Sequence, residues 1–153
     1  MINKQFLIKL LSSNAALSAL ILRVPVGIIF MAHGSQKLFG MFGGYGLTGT
    51  GQWMTSIGLE HGYLMAFLAG CGEFFGGLAL VLGLLIRPAA LVTAFTMIVA
   101  ILSVHISHGL FASNNGYEYA LTLLVASLSL AFQGLGVSLS IILLRKNSRN
   151  AVF

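Results

Sequence analysis

A chain of 153 residues in which 58% of the side chains are hydrophobic and only 7% are charged cannot cover a water-facing surface, because soluble domains carry about 25% charged residues. It reads as one integral membrane domain, 1–153. The net charge of +5 is scattered at the flanks of apolar segments, which fits topogenic charge and argues against nucleic acid as a partner. The single cysteine, Cys71, rules out an intrachain disulfide or a Cys-x-x-Cys relay.

In chain order, Ile2, Phe6, Leu7, Leu10 and Leu11 recur at helical spacing, so residues 2–12 are expected to lie along the membrane surface. Lys4 and Lys9 before an apolar stretch imitate a signal peptide. Arg23 interrupts that stretch and no small-x-small cleavage site follows, so the segment is expected to be retained. Spans are predicted at 15–33, 63–85, 89–107 and 117–133. The first three hold roughly 19 to 23 residues, enough to cross a hydrocarbon core of about 30 Å. The fourth is expected to stop at "QGLG", 133–136, rather than continue as one long tilted helix.

The connection after the second span, "IRPAA", is short enough for a tight antiparallel hairpin, and Pro88 suits the start of a helix. The only long connection is 34–62. Its Gly44-x-Gly46-x-x-Gly49 is not a dinucleotide fingerprint, since no strand precedes it and no βαβ unit follows. The loop is expected to turn back into the membrane or to cover polar residues beneath it. The predicted fold is therefore all-α: an antiparallel bundle of four transmembrane helices. Lys4, Lys9, Arg87, Arg145, Lys146 and Arg149 fall on one side and only Lys37 on the other. The positive-inside rule then places both termini in the cytoplasm and the 34–62 and 108–116 loops outside.

An ionisable side chain in the bilayer core is expensive and needs a reason. Glu73 stands alone between Glu60 and Arg87, and Arg23 interrupts the first span. Measured from His33 and Tyr63, the expected outer ends of their spans, both sit about 15 Å deep, so an Arg23–Glu73 ion pair is predicted. Ala69, Gly70, Gly76 and Gly77 share the helical face of Glu73 and would let another helix approach. Such a pair can lock two helices together, or it can hold a protonatable, ligand-facing carboxylate.

Above that pair, His33, Lys37, His105, His108 and Glu118 all fall near the outer ends of their helices. Together they are expected to form a polar column, with Trp53 in the loop over it. No metal site is assigned: His105-x-x-His108 is a weak signal, there is no Glu-x-x-His pair, and haem is disfavoured. A ligand with a small polar head, a quinone or an oxyanion, suits the set better. The histidines and Lys37 would bind its oxygens while Glu73 or Glu118 exchanges protons.

"RVPVGIIFMAHGSQKLFG" (23–40), "GEFFGGLALVLGLLIRPAA" (72–90), "VHISHGLF" (104–111) and "NGYEYAL" (115–121) resemble, in the same order, the blocks of the DoxX family. The resemblance spans about residues 20–136. It implies a small four-helix protein of the bacterial inner membrane, in a family named after a subunit of an archaeal thiosulfate:quinone oxidoreductase, with some relatives linked to oxidative-stress complexes. The family pattern falls here on Arg23, His33, Gly34, Lys37, Glu73, Arg87, His105, Gly116 and Glu118. The acidic residue that many relatives carry after a serine beyond helix four is missing from "VSLSII", 137–142.

The expected function is the membrane component of an oxidoreductase system that docks a quinone or small sulfur-type substrate. In this reading Glu73 and Glu118 exchange protons, Arg23 completes the catalytic set by pairing with Glu73 at the buried base of the site, and His33, Lys37, His105, His108 and Trp53 bind the ligand. With no redox centre of its own, the chain would rely on a quinone or an oxidoreductase partner subunit to carry electrons. The alternatives are a binding or transport protein for a small anion or lipid, and a scaffold subunit. Beyond the bilayer, a homo-oligomer is the other partner considered.

Overall fold

The computed structural model describes residues 15–133. The proposed surface segment, the tail after Gln133, and Lys4, Lys9, Arg145, Lys146 and Arg149 lie outside that range. Helix α1, Ala15–Phe39, leads through a short turn at Met41–Gly43 to α2, Gly46–Ser56. Then come α3, Gly62–Leu82, and α4, Ile86–Ala100. Helix α4 runs on through a π-helical turn, Ile101–His105, and a 3-10 turn, Ile106–His108. A further turn at Ala112–Asn114 precedes α5, Glu118–Phe132.

Among the described residues every regular element is helical. Leu17–Phe39, Gly62–Leu82 and Ile86–His108 are long and apolar enough to cross a membrane, and the apolar α5 is shorter. Outward-facing Ile21, Phe67, Phe75, Phe95, Leu102 and Val125 are exposed on these helices. Water would penalise that surface and lipid would not, so the chain is a multi-pass membrane protein. Helix α5 ends at Phe132 and Gln133 is extended.

The first span differs from expectation. It continues past His33 to Phe39 because Gly34, Ser35 and Gln36 are helical here. Ser35 turns its hydroxyl back onto the Met31 carbonyl at 2.7 Å, which satisfies it without leaving the helix. Gly34 marks a crossing of backbones. A Cβ at Gly34 would sit 2.5 Å from the Phe74 amide nitrogen, and one at Gly27 would sit 2.6 Å from the Gly77 carbonyl oxygen. Gly27 and Gly34 on α1 thus meet Gly77 and Gly70 on α3, where only glycine lets the axes come this close. Gly72 and Gly76 look the other way: added Cβ atoms there would meet Thr96 Cγ2 at 3.1 Å and Thr93 Cγ2 at 2.9 Å on α4. That Gly-x-x-x-Gly therefore serves contact within the chain. Phe30, Leu80, Ala90 and Leu130 fill the core, and Thr93 and Ser127, both fully buried, join α4 to α5 through hydroxyls 3.1 Å apart.

This register corrects the expected Arg23–Glu73 pair. Aligning His33 with Tyr63 assumed a span that stopped too early. The glycine contacts instead set Arg23 opposite Val81, eight residues or about 12 Å along the helix from Glu73. Arg23, 5% exposed, donates from Nη1 to the carbonyls of Leu80 at 2.6 Å and Val81 at 3.0 Å. These belong to the last turn of α3. The backbone there closes with Gly83 at φ 71° and with bonds from Gly83 N to Leu80 O at 3.2 Å and from Leu84 N to Ala79 O at 2.9 Å. The guanidinium thus sits at the negative end of the α3 dipole and binds last-turn carbonyls, sharing Leu80 O with the Gly83 amide. Arg23→Met is expected to lower stability by about 2 kcal/mol and Arg23→Gln by less, measured as thermal unfolding in detergent. An unchanged melting temperature for both would mean the carbonyls are satisfied without the side chain.

Candidate functional site: a polar cavity at one end of the helices

At the opposite end from Arg23, the helices part around a cavity of about 310 Å³. His33 and Lys37 of α1, Trp53 of α2 and Glu73 of α3 line it, as do His105 of the π-helical turn and Tyr119 of α5. Thr96, Ser103 and Asn115 add polar groups, and Met97, Ala100 and Leu123 an apolar wall. A second, open depression of about 700 Å³ lies beside it and shares Lys37 and Trp53. The long connection does cover the polar residues, through α2.

Glu73 is buried because Gly70, Gly76 and Gly77 around it give α1 and α4 room to close in. Its partner is Lys37, whose Nζ donates to Glu73 Oε2 at 2.6 Å, with side chains 23% and 4% exposed respectively. The six extra residues of α1 bring Lys37 to this level, and a buried carboxylate requires such a partner. On the neighbouring turn the His33 ring packs at a tilt of 57° on Tyr119, centroids 6.0 Å apart.

His105 owes its position to the π-helical turn, which inserts extra backbone before it. Its Nδ1 lies 2.7 Å from the Asn115 carbonyl oxygen. A carbonyl only accepts, so Nδ1 carries the proton and the neutral ring keeps its lone pair on Nε2. Asn115 is left-handed at φ 62°, in a turn closed by Tyr117 N to Gly109 O at 3.0 Å and Gly116 N to Phe111 O at 2.9 Å.

Glu118 belongs to that turn. Its Oε1 accepts from the Ala112 amide at 2.7 Å, so it holds the segment that presents Asn115 and does not line the cavity. His108 lies outside the cavity too, with Nδ1 2.9 Å from the Val104 carbonyl of its own helix. Five of the eight anticipated residues therefore come together: His33, Lys37, Trp53, Glu73 and His105. Arg23, His108 and Glu118 do not. Sequence reasoning missed Tyr119, Ser103, Thr96 and Asn115. Only Tyr119, an aromatic at the polar start of an apolar helix, carried a signal. Among the described residues no three His, Cys, Asp or Glu side chains cluster as a metal site.

The helices and cavity define a small polytopic helical membrane protein with a polar chamber at one end. The chain belongs to the DoxX family, whose sequence model matches residues 18–106, as the four sequence blocks implied. It is 35% identical over 124 residues to a Bacillus subtilis (strain 168) protein named "Putative oxidoreductase CatD", covering 81% of this chain and 84% of that one. No solved structure matches significantly. The family match includes Arg23, His33, Lys37, Glu73 and His105; Glu118 and Tyr119 lie beyond it.

Proposed function

We propose that this protein is the membrane component of an oxidoreductase system and that its cavity docks a quinone head group or a small sulfur-type substrate. The observation that carries the reading is a closed ion pair, Lys37–Glu73, within a chamber that His105 and Tyr119 also line. Lys37 has further N–H donors for a carbonyl oxygen, and Met97, Ala100 and Leu123 suit the ring. The family and the oxidoreductase-named relative support the redox setting. Side chains of this kind do not store electrons, so a bound quinone or a partner subunit carries them. Arg23 and Glu118 have supporting parts in this account: Arg23 ends α3, and Glu118 holds the turn beside His105.

The same reading takes α5 as a fourth crossing, both termini and the Arg87 turn as cytoplasmic, and the cavity as opening outward across a bacterial inner membrane. Titrating Trp53 fluorescence with a short-chain quinone tests it. Saturable quenching is expected, lost in a still-folded protein carrying Lys37→Met with Glu73→Leu. Linear quenching that ignores the substitutions would overturn docking here. It would leave the scaffold reading, which the Lys37–Glu73 tie between α1 and α3 favours.

A further inference from the structure

The hydrogen-bonding sense of the cavity bears on which oxidation state it holds. A dione offers only oxygen acceptors. A hydroquinone offers hydroxyls that donate and accept. Lys37 can serve either form, because an ammonium donates to both kinds of oxygen. His105 cannot. Its Nδ1–H is committed to the Asn115 carbonyl at 2.7 Å, so the neutral ring meets a ligand as an acceptor. The carbonyl is itself held in place: Asn115 sits in a left-handed turn whose amides bond to Phe111, Gly109 and Leu110 carbonyls and to the Glu118 carboxylate. Reversing the sense of the ring would cost that bond.

We propose that the cavity binds the dihydroxy form of its ligand in preference to the dione, with His105 Nε2 accepting a hydrogen bond from one hydroxyl and Lys37 donating to the other oxygen. The inference rests on the quinone-docking reading and adds its redox preference. A dione oxygen opposite Nε2 would set acceptor against acceptor. Sites built for a ligand hydroxyl discriminate strongly against analogues without it. Asn115 and Glu118 are positioning residues for this contact, since they act through the ring of His105.

The test is anaerobic equilibrium dialysis of the detergent-solubilised full chain against duroquinone and against durohydroquinone kept reduced with dithionite. The wild type is expected to bind the hydroquinone at least about tenfold more tightly. His105→Phe, which removes the acceptor, should bind both forms alike, and circular dichroism would verify its helices. His105→Gln serves the same comparison if the phenylalanine variant does not fold, because an amide can turn to donate or accept. Equal or tighter binding of the dione by the wild type would overturn the redox preference while leaving docking intact. A preference that survives loss of His105 would overturn the assignment to this ring. Failure of both forms to bind saturably would remove the docking reading, and this inference with it.

Discussion

Lys37→Met is expected to destabilise the folded protein by about 3 kcal/mol, because it leaves the Glu73 carboxylate buried without its cation. Glu73 is only 3% exposed as a residue, so water cannot readily replace the lost partner. Lys37 is partly exposed at 23%, which favours the lower end of the range for broken buried pairs. Glu73→Gln should be milder, since the amide oxygen still accepts from the ammonium. The double substitution Lys37→Met, Glu73→Leu should recover most of the loss, because apolar residues can replace a buried pair at little net cost. Thermal unfolding in detergent of the wild type, Lys37→Met, Glu73→Leu and the double variant checks the expectation, with Glu73→Gln measured beside them. Additive single effects would show that the two charges do not depend on each other. A stable double variant that no longer quenches with quinone would place the pair in the binding site rather than in a scaffold.

Gly34→Leu is expected to prevent accumulation of folded protein, and Gly34→Ala to cost about 3 kcal/mol. The atoms in the way are backbone: Phe74 N at 2.5 Å and Gly70 O at 2.8 Å from the position of an added Cβ. A side chain can rotate aside, but a helix must move as a whole. The movement would also draw Lys37, one turn further along α1, away from Glu73. Gly72→Ala is the matched control. Its Cβ would meet only the methyl groups Thr96 Cγ2 at 3.1 Å and Val92 Cγ1 at 3.2 Å, and a loss within about 1 kcal/mol is expected. Yield and unfolding temperature of the three variants decide it, and equal tolerance of alanine at both positions would contradict the close crossing.

The helical membrane class was legible because composition leaves no alternative, and the anomalous Glu73 was legible because lipid makes a lone charge conspicuous. Its partner was not. "HGSQKLF" contains the residues that make loops in water, and the same residues make helix crossings in membranes. Gly34 and Ser35 are both buried inside α1. Ending the span at His33 shifted the antiparallel register and exchanged Lys37 for Arg23. Nothing local in the sequence distinguishes an arginine that meets a carboxylate from one that meets the carbonyls ending a helix. The polar column held for the residues whose helices converge and failed at Glu118 and His108, because depth along a helix says nothing about the direction a side chain takes around it.

That direction is what the π-helical turn at Ile101–His105 governs. One residue of an α-helix turns the chain by about 100°, so a single surplus residue rotates everything beyond it relative to the stripe that packs before it. Deleting Leu102, which does not line the chamber, would let ordinary α-helical pairing resume. Ala90, Ala94 and Met97 would keep their seats in the core, while the imidazole would swing about a quarter-turn off its carbonyl. The aim of the ring is thus set by chain length rather than by side-chain chemistry, and it can be lost without altering any residue that lines the chamber.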